Sequence, residues 1–183
     1  PGLIQLRKKR RKRMFKRLFP LCLCILILSL FIGIKSGYAE QIEAQINKVV
    51  DGDTVRVSIA GEKKPVRVRL YGIDAPEKNQ PSGPESSEAL ARLLPVGSAV
   101  LLDVVDRDHY GRLVAIITRQ GEHESANARQ VSDGWAWYWS RYCKRPLCES
   151  WESLSESAKA AGLGLWSNDH PVAPWDWRRQ RRR

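Results

Sequence analysis

The chain has 183 residues, with 31 Lys plus Arg against 20 Asp plus Glu and a formal net charge of +11. A hydrophobic share of 43% and a charged share of 28% exclude a disordered chain, a collagen and a multi-span membrane protein. Residues 1–39 hold ten bases and no acids, residues 178–183 hold five arginines, and 40–177 carries 16 bases and all 20 acids. Nucleic-acid binding by that central part has to rest on a few placed arginines, not on a general positive field.

The apolar run from Leu18 to Ile34 follows Lys16 and Arg17 and leads into Gly37-Tyr38-Ala39-Glu40. A basic start, an apolar centre and small residues at the end are the parts of a secretory signal, cleaved here after Ala39. An uncleaved membrane anchor is the alternative. Met14 is the only methionine and stands where such a signal begins. Residues 1–13 are read as an extension upstream of that true start, or else as a long basic n-region. The expectation is an exported protein, periplasmic or secreted, touching membrane only through this segment if it is not removed. Cys22 and Cys24 would leave with the signal. Cys143 and Cys148 would remain as a pair able to form a disulfide in an oxidising compartment, two reduced and buried cysteines being the alternative. The scattered His109, His123 and His170, with no Cys-x-x-Cys, do not suit zinc.

From residue 40 the pattern predicts strands, then helices. Ile42 to Val50 is a mixed run ending at Asp51-Gly52-Asp53. Val55, Val57 and Ile59 alternate with polar or small residues, as on a half-buried strand. Residues 60–65 read as a hairpin turn, and Val66, Val68 and Leu70 return with Arg67 and Arg69 on the opposite face. A helix is predicted from Gly83-Pro84 to Leu94, with Leu90, Leu93 and Leu94 as its apolar stripe. Residues 99–105 and 113–118 read as strands, and 125–133 and 147–161 as helices, the last stopped by Gly162. The expected class is α+β: a five-stranded OB-type β-barrel with about three packed helices, spanning 40–167. Residues 168–183, rich in Trp and Arg, are expected as a solvated, disordered tail. Added affinity for nucleic acid or an anionic surface is the alternative for that tail.

Asp51, Asp53, Asp74 and Glu77 are the carboxylates of interest. Asp53 opens one strand of the hairpin and Asp74 follows the end of the other, so the two should be neighbours, with Glu77 further along the same rim. Oxygen ligands without nearby His or Cys suit a hard cation such as Ca²⁺ or Mg²⁺. Such acids beside Arg69 are the parts of metal-assisted phosphodiester hydrolysis. Taken alone, the same residues also fit an ordinary turn, a helix start and a solvated strand arginine. Trp135, Trp137 and Trp139 alternate on an extended segment, and either cover the core or offer bases a stacking platform.

Three motifs resemble the thermonuclease, or staphylococcal nuclease, family: Val50-Asp51-Gly52-Asp53-Thr54-Val55, Arg69-Leu70-Tyr71-Gly72-Ile73-Asp74-Ala75-Pro76-Glu77 and Asp108-His109-Tyr110-Gly111-Arg112. Gly83-Pro84-Glu85 and Gly162-Leu163-Gly164-Leu165-Trp166 extend the match over roughly 42–167. The resemblance implies a monomeric enzyme with no obligate protein partner that uses one Ca²⁺ to cleave DNA and RNA to 3′-phosphate products. It implies Asp53, Asp74 and the Ala75 carbonyl as metal ligands, Glu77 as general base, and Arg69 and Arg112 as stabilisers of the transition state. His109, Tyr110 and Tyr142 match positions near bound substrate, although His109 stands where the family prefers Lys or Arg. A catalytically inactive OB-type nucleic-acid-binding module is the alternative.

Overall fold

The computed structural model describes residues 41–182; the leader, with Met14 and the expected cleavage after Ala39, lies outside the described residues. The alternating valines form β1 (Ile42–Asp51), β2 (Thr54–Ile59) and β3 (Val66–Leu70), a continuous antiparallel meander. A two-residue β4 (Ile73–Asp74) follows, then helix α1 (Gly83–Leu93), entered with Pro84 in its first turn. β5 (Ala99–Arg107) and β6 (Leu113–Arg119) make the second hairpin.

The barrel closes in two ways. β5 pairs antiparallel with β1, and β6 pairs parallel with β3, giving the order β1-β2-β3-β6-β5. A parallel pair cannot be joined by a tight turn, so the whole of 71–112 serves as its crossover. Val55, Val57, Val68, Leu70, Val100, Leu102, Ala115 and Ile117 all point inward and are essentially inaccessible to solvent. Arg67 and Arg69 are left on the outer face, as the alternation predicts.

Helix α2 (Ala126–Ser132) begins at Ser125, whose hydroxyl accepts from the Ala128 N–H at 3.2 Å. Its Asn127, fully buried, accepts from Ile117 N and donates to the Tyr71 and Ala115 carbonyls. One side chain thus satisfies three buried backbone groups where β6 meets the residues after β3. β7 (Trp137–Tyr138) pairs with β4. Helix α3 (Cys148–Ala160) is followed by a 3₁₀ turn, Gly164–Ser167. Cys143 and Cys148 are joined by a disulfide, their Cα atoms 5.7 Å apart. An added Cβ at Gly72 would lie 2.6 Å from the Cys143 Sγ, so the bridge packs directly beneath the chain leading to β4.

The C-terminal segment differs from expectation. In place of a disordered tail, residues Pro174–Gln180 form helix α4, with Pro174 in its first turn and Asp176 beside it. The physical reason is aromatic. Trp175 stacks on Trp139 with ring centroids 5.6 Å apart and 19° between planes, and meets Trp137 edge-on at 5.6 Å. Trp137 also meets Trp166 edge-on at 4.3 Å, so Trp137 and Trp139 are packing surface met by α4. No helix among the described residues is long and apolar enough to cross a membrane.

Candidate active site

The β1–β2 turn and the residues after β3 form one rim of the barrel. Asp51 turns the chain by accepting from the Asp53 N–H, and Leu70 N–H donates to the Asp53 carbonyl at 2.8 Å, locking the two motifs together. Gly52 is required here by space. An added Cβ would lie 2.0 Å from the Ser86 Oγ and 2.7 Å from the Ala75 Cβ. Gln130 of α2 donates to the Gly52 carbonyl and to the Ser86 carbonyl, tying the turn to α1.

Arg69 links the two expected metal ligands. Its Nη1 donates to Asp53 Oδ1 at 3.2 Å, and its Nη2 reaches Asp74 Oδ1 at 2.6 Å and Asp53 Oδ2 at 3.1 Å. Asp53 also accepts from Thr54 Oγ1 and from the Ala75 N–H at 3.0 Å. Both carboxylates are buried, while Arg69 is 18% exposed and reachable by a ligand. Burial works against the Arg69 charge, but Asp53 and Asp74 outweigh it and hold the guanidinium above its ordinary value. Burial raises the Asp74 carboxyl, and bonds from Arg178 and the charge of Arg69 offset that only in part. Burial first, then the charge of Asp53, push the Asp51 carboxyl up to about 6.

Glu77 sits at the end of the same rim, half-buried, on a loop held by its neighbours. Gln80 Oε1 accepts from the Glu77 N–H at 3.1 Å, the Gln80 N–H donates to the Glu77 carbonyl at 2.8 Å, and Gln80 Nε2 donates to the Val172 carbonyl at 2.6 Å. Gln80 was not singled out in the sequence. Its signal is only burial, since a fully enclosed amide needs several partners.

The structure brings Asp53, Arg69, Asp74, Ala75 and Glu77 together. It does not place Arg112 on these carboxylates. Arg112 Nε binds Asp108 Oδ2 at 2.7 Å, and its guanidinium lies 5.5 Å from the Tyr110 ring centre. Partial burial raises the Asp108 carboxyl, and Arg112 outweighs it and holds the group below its usual range. The β3–β6 register sets Arg69 beside Val114, two residues after Arg112. His109 and Tyr110 lie on the same turn, in ring contact, with Tyr110 70% exposed. Tyr142, 52% exposed, packs on Trp139, whose ring lies 6.0 Å from the Arg69 guanidinium.

One guanidinium was not foreseen. Arg178 of α4 donates from Nη2 to Asp74 Oδ2 at 2.7 Å and from Nη1 to Glu77 Oε1 at 2.8 Å and Asp74 Oδ1 at 3.2 Å. Burial lowers its basicity, but the bonds it donates to Asp74 and Glu77, with their charges, outweigh this and hold it above its ordinary value.

Among the described residues no three His, Cys, Asp or Glu side chains cluster as a metal site on their own. A cation here would rest on the two carboxylates, a backbone carbonyl and water. That donor set, all oxygen and already drawing two guanidinium charges, fits a hard divalent cation.

A small barrel with acids and arginines converging on one rim has the build of a phosphodiester hydrolase. The sequence profile described as staphylococcal nuclease homologue matches residues 67–168, more than half of the chain. Protein ParB of Escherichia coli is 35% identical over 160 residues, which cover 84% of this chain and 88% of that protein. An uncharacterized endonuclease of Haemophilus influenzae is 33% identical over 154 residues, 84% of this chain and 83% of that one. A probable staphylococcal-like nuclease of Oryza sativa is 41% identical over 116 residues, 63% of this chain and 29% of that longer protein. The chain belongs to the staphylococcal nuclease family, and it is a nuclease.

Proposed function

We propose that this nuclease is an exported, Ca²⁺-dependent enzyme that hydrolyses DNA and RNA to 3′-phosphate products. The observation that carries the reading is the Arg69 bridge between Asp53 and Asp74, with Glu77 on the same rim. Asp53, Asp74 and the Ala75 carbonyl would hold the cation, which when bound supplies Lewis-acid polarisation of a phosphoryl oxygen. Glu77 takes a proton from the attacking water, so that oxygen adds to phosphorus as the P–O5′ bond breaks and the leaving alkoxide is protonated by solvent. Arg69 holds a phosphoryl oxygen and faces the charge that grows there. Arg112 would join it by exchanging Asp108 for the substrate.

The experiment is cleavage of labelled DNA and RNA by the purified protein, with Ca²⁺ or with chelator. Cutting with Ca²⁺ that leaves 3′-phosphate ends, and a loss of ~10²-fold or more on chelation, is the expected outcome. Cleavage that proceeds unchanged in chelator overturns the metal part of the reading, and the absence of any cleavage overturns the activity.

Export is supported by the basic-apolar-small pattern before Glu40 and by the Cys143–Cys148 bridge, which belongs to an oxidising compartment. Mass spectrometry of protein recovered from the periplasm or medium should find an N-terminus at Glu40. Recovery only in the membrane with the leader intact would favour the anchored form.

A further inference from the structure

We propose that Arg178 is a substrate-binding arginine of the active site, one that trades Asp74 for the phosphodiester when the cation binds. The inference rests on the nuclease reading above.

Three observations carry it. Arg178 bonds both Asp74 and Glu77, one an expected metal ligand and the other the expected base, and it is 30% exposed, so a ligand can reach it. Its helix has seats besides Arg178, whose guanidinium also lies 5.8 Å from the Trp139 ring centre. Trp175 stacks on Trp139, Ala173 and Pro174 are buried, and Gln80 and Asn168 tie the preceding segment to the loop after Glu77. The side chain therefore stays beside the site when its present partners are engaged elsewhere. Finally, Arg112 has its own carboxylate, Asp108, whereas among the described residues Arg178 pairs with none outside the site.

Charge supplies the exchange. Asp53, Asp74 and Glu77 carry three negative charges, and Arg69 and Arg178 carry two positive ones. A divalent cation on Asp53 and Asp74 takes up the negative charge that Asp74 now offers Arg178. Once the Asp74 oxygens face the cation, Arg178 keeps Glu77 on Nη1, and its freed Nη2 turns to the phosphodiester of the substrate, an anion guanidinium suits better than ammonium. The site thus draws on a helix outside the stretch that matches the family, 67–168.

The test compares wild-type protein with Arg178→Gln and Arg178→Lys on single-stranded DNA, with thermal melting as the check on folding. Ca²⁺ binding is measured separately by calorimetry without nucleic acid. In Arg178→Gln, kcat/KM should fall ~10–100-fold, the loss expected when a charge-assisted bond to phosphate is removed. Arg178→Lys should restore part of it, and Ca²⁺ should bind Arg178→Gln at least as tightly as wild type, because a competing cation has gone. Activity within about two-fold of wild type would make the contact a bystander. A rise in activity would make α4 a plug, and Ca²⁺ binding weakened in step with activity would make Arg178 a scaffold of the metal site; each overturns the proposal. An inactive wild type would instead sink the nuclease reading itself, whatever the variants do.

Discussion

Glu77→Gln is expected to lower kcat by ~10²-fold or more, the usual loss when a general base is removed, with KM little changed. The substitution is nearly isosteric. Gln keeps an oxygen able to accept from Arg178 Nη1, and the Gln80 bonds fix the backbone on both sides of the side chain. The melting temperature should therefore hold, and calorimetric Ca²⁺ binding should survive through Asp53 and Asp74. Full activity in this variant, measured on DNA with Ca²⁺ present, would remove Glu77 from the chemistry.

Gly83→Ala is expected to cost about as much by a different route. An added Cβ at Gly83 would lie 2.0 Å from the Glu77 carbonyl oxygen and 2.9 Å from its carbonyl carbon, both backbone atoms. Ordinary contact begins at 3.4 Å, so α1 or the Glu77 loop must give way to open that gap. Helix α1 is anchored by Leu90 and Leu94 in the core and by Ser86, which donates to the Trp135 carbonyl at 2.7 Å. The loop is the softer partner and carries the base away from its water. A displacement of ~1 Å at a reacting group costs ~10²-fold in rate. Overpacking adds a stability loss of ~1–3 kcal/mol. Kinetics and melting on one preparation check both, and unchanged kcat/KM would show that α1 yields instead.

Much of this site is legible in the residues because its geometry is local. The valine alternation of 55–59 and 66–70 makes a hairpin inevitable, and a hairpin places the start of one strand beside the end of the next. That is why Asp53 and Asp74 meet across Arg69. Gly83-Pro84 likewise announces α1 through a fixed φ and a missing N–H. Alternation says which face is buried and not which strand lies alongside, so the parallel β3–β6 pairing had no signal.

Helix α4 was hidden for another reason. A seven-residue segment gains too little from its own hydrogen bonds to persist alone, and five arginines in the last six residues read as solvated charge. What holds it is the stack on Trp139, a residue far away in sequence. Pro174 followed by Asp176, a sound helix start, was the available cue. Arg112 shows the opposite limit. Its place in a motif names its expected task, but the partner it takes in the structure is Asp108, four residues before it.

The parallel closure of β3 on β6 also constrains how the molecule comes into being. A chain delivered from its N-terminus exposes Asp53, Arg69, Asp74 and Glu77 early, but β3 has no second neighbour until β6 arrives. The bond between Arg178 and Asp74 then spans 104 positions. Contacts of such separation form late, because the loop between them must be ordered before they reward it. The rim that would cut nucleic acid is therefore laid down by the local hairpin first and gains its Arg178 bonds late.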